Sequence, residues 1–494
     1  MKQINKYIVI LLAAMATVSC SKTYLDKTPY TGVSVGSAIK TETDMGVAIN
    51  AAYAQMRNYY LFGASIPIKG DLMADNTFIT TSNSGRYIGQ NTFSMTSQDA
   101  YAYNFWLLAY TTIKYANTVI ASSAVATTAT GKQYLGEAYA IRALMHFELV
   151  RNFAHPYTIS PNDPGVPYVT AYDQNALPGR GTVKDDYTKI IADYEQAYTL
   201  MTQYRGTAYL SKYAARALEA RAYQNMGDWA NAKTTALDVI NNSGWVLLSA
   251  TAYVNPTGTL GTSFGNSTYS PGGYWAGNAI QTGSKNESLF DIAADNTANN
   301  GFEQIGSLYL QYGGGYGDIL ATDDLYNQYS ATDVRRGLCV RAPAGYRSGQ
   351  QGNINLCYKY PNAFSSTAYR DAVRVIRLAD VILIAAEAYY NTSDPTNALV
   401  YLNKVAMQRD PAFTGYTSSG AQLLADILNE RRKELAFEGQ RLWDLVRLNM
   451  SWTKIRNQSP LVTIPASASS SFLYYPIPLD EITSNPNMTQ NPGY

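Results

Sequence analysis

Residues 430–448, with the sequence ERRKELAFEGQRLWDLVRL, concentrate side chains that could do acid–base chemistry. Nine of these nineteen residues are charged, whereas 15% of the whole chain is charged. Opposite charges stand within reach of each other on a helix: Glu430 with Lys433, Glu438 with Arg441, and Asp444 with Arg441 or Arg447. A carboxylate beside guanidinium groups has a lowered pKa, so it is a poor general acid. The pattern therefore favours a structural ion-pair network over a catalytic site.

Other catalytic arrangements find little support in the sequence. The chain has two histidines, His146 and His155, which leaves little for histidine-based triads or multi-histidine metal sites. Asp291, Asp318 and Asp324 could serve a secreted hydrolase that uses two carboxylates, but they form no recognisable motif. The acidic stretch GDILATDD could hold calcium, although its spacing matches no complete calcium loop. We expect no enzyme activity, no cofactor and no metal.

Helical periodicity surrounds the charged segment and organises most of the chain. Leucines at roughly heptad spacing predict an amphipathic helix over 424–446 that breaks or bends near Gly439. Apolar residues recur at helical spacing in DMGVAINAAYAQMRNYY, FWLLAYTTIKYANTVI and YLGEAYAIRALMHFELVRNF. A further helix is predicted from Val183 to about Met201, with Thr182 as its N-cap.

Two segments repeat one pattern of small and aromatic residues. Their spacings match, because the marked positions are three and then nine residues apart: Ala220, Tyr223 and Ala232 in the first segment, and Ala386, Tyr389 and Ala398 in the second. Gly227 suits a left-handed helix end and Asp228 caps the next helix. Asp394 and Pro395 begin the corresponding helix of the second segment. The pattern predicts tetratricopeptide-like helical hairpins.

Residues 246–369 differ in composition and supply candidate binding residues. The segment is rich in Gly, Ser, Thr, Asn and Tyr, which predicts surface loops with short hairpins. The chain has 42 Tyr and 13 Phe, and a tyrosine ring offers an apolar face with a polar tip. The candidates from this segment and from the stretch before FWLLAY are Asp75, Arg86, Tyr101, Tyr103, Asn104, Tyr274, Trp275, Tyr309, Tyr312 and Tyr316. For each of them, packing within a loop is the competing interpretation.

The first residues predict export. Lys2 and Lys6 precede the apolar run YIVILLAAMATVS, which is too short to span a bilayer comfortably and is typical of a secretory signal. Cys20 follows directly and fits a lipobox, in which the cysteine is acylated and becomes the mature N-terminus. The other cysteines, Cys339 and Cys357, could pair in an oxidising compartment. Lys plus Arg is 38 and Asp plus Glu is 37, so nucleic-acid binding is not expected.

Several of these stretches together resemble the SusD/RagB family of lipoproteins. ERRKELAFEGQRLWDLVRL is similar to the family signature near the C-terminus, and YYPIPLDEITSNPNMTQNPGY is similar to the family's ending. RLADVILIAAEAYYN followed by ALVYLNKV, GEAYAIRALMHFELVRNF, FWLLAYTTIKYANTVI and the lipobox followed by SKTYLDKTP fit as well. We expect five parts: signal peptide 1–19, tether 20–36, N-terminal helical region 37–245, variable ligand-face region 246–369, and C-terminal helical region 370–494.

The resemblance implies a mainly α fold with four tetratricopeptide-like units and a variable loop-rich face. It also implies an outer-membrane lipoprotein of Bacteroidetes, lipidated at Cys20 and facing the cell exterior, that is not an enzyme. Such proteins capture oligosaccharides, or in some members peptides, and act as a lid on a SusC-type TonB-dependent transporter. The stretch before the FWLLAY helix contributes to the sugar site in relatives. Two alternatives remain open: a peptide-binding protein of the same architecture, and a tetratricopeptide adaptor that binds only proteins.

Overall fold

The computed structural model describes residues 39–275, 285–295, 297–311, 315–347, 352–361, 371–456, 459–465 and 471–494. The expected signal peptide, the tether, Cys20 and Tyr312 lie outside the described residues. No helix in the described part of the chain is both long enough and apolar enough to span a membrane.

The N-terminal part is a stack of helices joined by loops. Its helices are α1 (Glu42–Met56), α2 (Ser65–Leu72), α3 (Ile88–Thr92), α4 (Ala100–Ala121), α5 (Ala129–Phe153), α6 (Val183–Leu200), α7 (Lys212–Met226) and α8 (Trp229–Asn242). The predicted start of α6 is confirmed, because Thr182 and Asp185 form a reciprocal capping box there. Helix α5 is buried along most of its length, and its Arg142 is joined to Asp193 of α6 by two hydrogen bonds of 2.7 Å.

The two predicted hairpins are present and lie side by side. Helices α7 and α8 form the first, with Gly227 in the left-handed region at φ 73° and the Asp228 carboxylate capping α8. The second comprises α12 (Leu378–Asn391) and α13 (Pro395–Arg409), and α8 packs against α12. The four alanines of the repeated pattern are fully buried at the helix contacts: Ala220, Ala232, Ala386 and Ala398. Small side chains at these positions let the helix backbones approach closely, and this confirms the tetratricopeptide-like prediction.

The middle of the chain is built from short strands and short helices. Its elements are α9 (Ala250–Tyr253), β2 (Ser288–Ile292), α10 (Ile305–Tyr309), β3 (Ile319–Ala321), α11 (Asp323–Asn327), β4 (Cys339–Ala342) and β5 (Ile354–Cys357). Strand β1 (Thr77–Ile79) comes from the N-terminal part and joins an antiparallel sheet of order β1-β3-β5-β4. The loop-rich character and the β-hairpin expected from the composition are confirmed, and the sheet ties the N-terminal helices to the middle segment.

The C-terminal part returns to helices and packs on both earlier parts. Its elements are β6 (Val373–Arg377), α12 (Leu378–Asn391), α13 (Pro395–Arg409), α14 (Gly420–Leu435), α15 (Arg441–Arg447), β7 (Trp452–Arg456), β8 (Ser459–Ile464) and α16 (Leu479–Ser484). The predicted break near Gly439 is confirmed, because α14 ends before it and Gly439 has φ +75°. The close approach of α2 to this turn leaves no space for a side chain at Gly70.

The charged segment lies inside the protein and forms ion pairs. Two expected pairs are confirmed: the Lys433 ammonium lies 2.6 Å from the Glu430 carboxylate, and Arg447 lies 2.9 Å from Asp444. The expected pairing of Glu438 with Arg441 is wrong. The left-handed turn between the two residues directs Glu438 to Lys359 and Arg377, while Arg441 binds Asp75 with two hydrogen bonds of 2.8 Å.

Glu434 is the centre of this network. Its carboxylate accepts hydrogen bonds from guanidinium groups that come from three elements: Arg335 before β4, Arg377 of β6 and Arg409 of α13. Burial alone would raise the pKa of Glu434, but the neighbouring guanidinium charges outweigh it and hold the pKa well below its usual range. The carboxylate therefore remains an anion and joins the middle segment to the C-terminal helices.

Candidate ligand-binding site

The site begins with the loop between β1 and α3. The backbone amide and hydroxyl of Ser84 donate hydrogen bonds to the buried Asp318 carboxylate, at 3.1 Å for the amide. The Arg347 guanidinium donates to the Thr80 hydroxyl at 2.9 Å and to the carbonyls of Ser82 and Gly317. The middle segment therefore fixes the conformation of a loop that belongs to the N-terminal part.

At the end of this loop, Arg86 is held against two residues of the middle segment. Its Nε donates to Glu303 at 3.0 Å, and its Nη2 donates to the Glu303 carboxylate and, at 2.8 Å, to the Tyr316 hydroxyl. The guanidinium carbon lies 3.9 Å from the centroid of the Tyr316 ring. The Tyr316 hydroxyl donates to Glu303 at 3.0 Å. Hydrogen bonding to Glu303 raises the pKa of Arg86 above its already high value, so the guanidinium stays charged.

Tyrosine rings form the floor beside Arg86. Tyr87 is buried in the left-handed region at φ 56°, which is rare for a bulky residue, and this backbone places Tyr87 inward next to the partly exposed Arg86. Its ring centroid lies 4.4 Å from that of Tyr101. The Tyr101 hydroxyl lies 3.2 Å from that of Tyr59, and Tyr60 packs edge-on against Tyr101. Burial raises the pKa of Tyr101, so these hydroxyls remain neutral hydrogen-bonding groups.

Helix α4 starts at this floor and extends the surface. The Asp99 carboxylate caps it by accepting the amides of Tyr101 and Ala102, both at 2.9 Å. Tyr103 on the first turn is 38% exposed, and the half-buried Asn104 donates from its side chain to the Ala100 carbonyl. The partly exposed rings of Tyr101 and Tyr316, the Arg86 guanidinium and the Glu303 carboxylate thus meet at one surface, whereas Tyr103 is two positions further along α4 and lies on another side of the helix. We call Arg86, Tyr101, Glu303 and Tyr316 the Arg86 cluster.

The structure brings together three of the predicted site residues and places two more nearby. Arg86, Tyr101 and Tyr316 meet although they come from two distant regions, and Tyr103 and Asn104 lie on the first turn of α4. Sequence analysis missed Glu303, Tyr59 and Tyr60, and also Phe302, which is 48% exposed next to Glu303. Phe302 lies within the predicted loop-rich segment 246–369, so this aromatic residue was a usable signal. No local motif marks Glu303.

Four predicted site residues are corrected by the structure. Tyr274 and Trp275 are buried in a small core with Tyr253 and Leu338, and Arg374 packs against both rings. Tyr309 is fully buried between Tyr360 and Phe437. Asp75 is committed to Arg441 in the ion-pair network. Burial would raise its pKa, but the hydrogen bonds and charge of Arg441 lower it.

The loop carboxylates considered for hydrolysis are separately engaged. Asp291 is buried and accepts from Ser288, Asp318 binds Ser84, and Asp324 pairs with Arg432 at 2.6 Å. Within the described ranges, no three His, Cys, Asp or Glu side chains are grouped so that they could hold a metal ion.

A separate groove of about 380 Å³ runs along the middle of α4. Exposed Leu107, Tyr172 and Leu177 give it an apolar wall. The Lys114 ammonium lies 4.8 Å from the Tyr172 ring centroid. The indole N–H of Trp106, which lines the groove, already donates to Glu481. This α4 groove is mostly apolar, whereas the Arg86 cluster offers polar groups beside its rings.

The fold and site define a class: a tetratricopeptide-like helical scaffold that carries a loop-built surface of aromatic and charged side chains. Two family models match the chain. One is described as "SusD family" over residues 348–494, and the other as "Starch-binding associating with outer membrane" over residues 23–224. The chain belongs to the SusD/RagB family.

Known relatives are similar to this chain in sequence and in structure over nearly its whole length. SusD-like protein P2 of Formosa agariphila is 27% identical over an alignment 540 residues long, gaps included, which covers 99% of this chain and 100% of the relative. A SusD superfamily protein from Bacteroides thetaiotaomicron superposes with a TM-score of 0.79 at 25% identity, covering 92% of this chain and 100% of the other. One from Bacteroides vulgatus gives 0.78 at 26% identity, with the same coverage.

Proposed function

We propose that the protein is a surface-exposed outer-membrane lipoprotein that binds oligosaccharides and delivers them to a SusC-type TonB-dependent transporter. The observation that carries the proposal is the Arg86 cluster, which presents rings and ionised hydrogen-bonding groups on a rigid helical scaffold. The family description "Starch-binding associating with outer membrane" supports both the class of ligand and the location.

The cluster suits weak, reversible capture of a sugar. Pyranose rings stack their C–H faces on aromatic side chains, and each ring contributes roughly 0.5–1.5 kcal/mol by analogy with aromatic pairs. The partly exposed Tyr101 and Tyr316 rings offer such surfaces, while Arg86 and Glu303 offer donors and acceptors for sugar hydroxyls. Several shallow contacts of this size allow binding and later release to a transporter.

The arrangement supports binding without chemical conversion. The Glu303 carboxylate already accepts hydrogen bonds from Arg86 and from the Tyr316 hydroxyl, so both of its oxygens are engaged by protein groups. Asp318 is buried under Ser84, and the Asp99 carboxylate is occupied by the amides of Tyr101 and Ala102. The ligand would therefore leave unchanged.

Delivery requires a tether and a partner. Acylation of Cys20 would anchor the chain, since more than one acyl chain gives stable membrane attachment. The helical hairpins would pack on the transporter and leave the Arg86 cluster facing the ligand. This assignment rests on the family resemblance and on the placement of the hairpins, which lie apart from the loop-built site.

Isothermal titration of the folded full chain against neutral oligosaccharides and peptides tests the proposal. We expect heat with at least one oligosaccharide, no turnover of it, and roughly two- to tenfold weaker binding in Tyr316→Ala. Tyr172→Ala in the α4 groove is the matched control, because it removes a partly exposed tyrosine ring outside the cluster. Binding that follows Tyr172 instead of Tyr316 would place the site in the groove. Heat with peptides alone would favour the peptide-binding alternative, and silence with both classes would contradict the proposal.

A further inference from the structure

Two cysteines lie directly opposite each other on neighbouring strands. Cys339 begins β4 and Cys357 ends β5, and they are register partners in the antiparallel pair. The amide of Tyr358 donates to the carbonyl of Leu338 at 2.8 Å, so these two residues form a hydrogen-bonded pair. Bonded and non-bonded pairs alternate along an antiparallel ladder. Cys339 and Cys357 therefore form a non-bonded pair, in which the side chains share one face of the sheet.

The non-bonded position has the dimensions of a disulfide. Opposed Cα atoms at such positions are about 4.5 Å apart, and disulfides join Cα atoms about 4.4–6.8 Å apart. Both cysteines are fully buried and are free thiols in the structure. The chain has three cysteines, and the remaining one, Cys20, is the expected lipidation residue. Each of the two thiols thus has the other as its natural partner.

We propose that Cys339 and Cys357 form a cross-strand disulfide in the exported protein. The oxidant is a protein disulfide of an envelope dithiol–disulfide oxidoreductase, since exported proteins mature in an oxidising compartment. One cysteine thiolate attacks the oxidant's disulfide, forms a mixed disulfide and expels a thiolate of the oxidant. The second cysteine attacks the sulfur of the first and expels the other thiolate. Two thiols lose two protons and two electrons, and the oxidant is reduced to a dithiol.

The burial of the pair determines when the bond forms. Burial raises the pKa of both thiols, so the folded protein holds very little thiolate, which is the attacking species. The disulfide therefore forms before the hairpin is covered by the rest of the chain. Once the protein has folded, the bond is out of reach of reductants.

The bond would hold the hairpin that supports the candidate site. The connection between β4 and β5 carries Arg347, which donates to Ser82, in the same loop as Arg86, and to Gly317, next to Tyr316. A covalent link at the base of the hairpin fixes the register of the two strands, and a slip of one residue would turn every side chain to the other face. The link thus keeps Arg347 in position.

Peptide mapping of the full chain tests the proposal directly. The protein is exported to the envelope of a host with disulfide-forming machinery, denatured in an excess of alkylating reagent, and digested without reductant. We expect one cross-linked peptide pair that contains Cys339 and Cys357 and separates on reduction. Recovery of both cysteines in alkylated form, or of either cysteine bound to another thiol, would overturn the proposal.

Unfolding in urea gives a second measurement. We expect reductant, present throughout, to raise the unfolding equilibrium constant of the exported protein roughly a hundredfold. The disulfide closes a loop of roughly 15–20 residues, and closing a loop of this length lowers the conformational entropy of the unfolded chain by a corresponding amount. The double variant Cys339→Ala/Cys357→Ala is the control and should show no response to reductant. An equal response in both proteins, or none in the wild type, would overturn the proposal. If the variant fails to fold, the response of the wild type to reductant and the peptide map still test whether the disulfide is present.

Discussion

Arg86 and Glu303 face each other at the surface, although 217 residues separate them in the chain. Two hydrogen bonds join the guanidinium to the carboxylate, and the Tyr316 hydroxyl closes the triangle. Because the two charges cancel, the positive charge of Arg86 is already neutralised by the Glu303 carboxylate. The proposed site therefore favours neutral ligands over anionic ones.

Replacing Glu303 should change this preference. In Glu303→Gln, Arg86 keeps a neutral amide partner and its charge becomes available, so we expect binding of acidic oligosaccharides to strengthen roughly tenfold relative to neutral ones. Stability should change little, because partly exposed ion pairs contribute about 0.2–1 kcal/mol. Titration of both ligand types with wild type and variant measures the effect. Glu195→Gln, on the exposed side of α6, makes the same change in net charge and should leave both affinities unaltered; an unchanged ratio in Glu303→Gln would exclude the idea.

The two hairpins could be predicted because their signals are local. Gly227, Asp228, Asp394 and Pro395 mark helix ends within a few residues, and the buried alanines follow helical spacing. Glu303 could not be predicted in the same way, because its partner Arg86 lies in another part of the chain. The burial of Trp275 was equally hidden: composition distinguishes an aromatic loop from a helix, but it does not reveal what folds over the loop.

The pairing of Glu438 failed for a different physical reason. Helical reach assumes one continuous helix, and the left-handed turn at Gly439 separates Glu438 from Arg441. The composition of the segment still predicted its role correctly, since lowered carboxylate pKa values and ion pairing do not depend on which guanidinium is the partner.

Glu434→Gln should destabilise the whole fold. The substitution leaves the buried guanidinium groups of Arg335, Arg377 and Arg409 short of an anionic partner, and breaking a buried pair costs about 3–5 kcal/mol. Urea unfolding followed by circular dichroism measures the loss, with Glu195→Gln as the exposed control. A loss below about 1 kcal/mol would show that the network is not what joins the middle segment to the C-terminal helices.

Gly70→Ala should also destabilise, through a steric clash. A Cβ atom built at Gly70 lies 2.0 Å from the backbone carbonyl oxygen of Gly439, so the clash is with backbone and not with the end of a flexible side chain. Forcing in extra volume costs about 1–3 kcal/mol. Gly265→Ala is the control, because no atom lies within 4 Å of a Cβ there. Comparable thermal midpoints for the two variants would contradict this close approach of α2 to the turn.

Asp186 should make stability depend on pH between about 4 and 7. Burial raises the pKa of Asp186 to about 7, more than the amide of Val166 and the charges of Lys189 and Arg180 lower it. In the unfolded chain the pKa is about 3.9. Between these values the folded protein binds more protons than the unfolded one, so unfolding free energy falls as pH rises, by up to about 1.4 kcal/mol per pH unit. Asp186→Asn should remove this loss while keeping an acceptor for the Val166 amide.

The neighbouring Asp185 provides the matched control for this measurement. Its carboxylate is exposed in the capping box, and hydrogen bonds from Thr182 lower its pKa, so it is ionised in both states across this range. Asp185→Asn should therefore shift unfolding free energy by a constant amount between pH 5 and 7. Urea midpoints of the wild type and both variants at several pH values compare the two effects. If the difference between Asp186→Asn and wild type were also constant with pH, Asp186 would titrate normally in the folded protein.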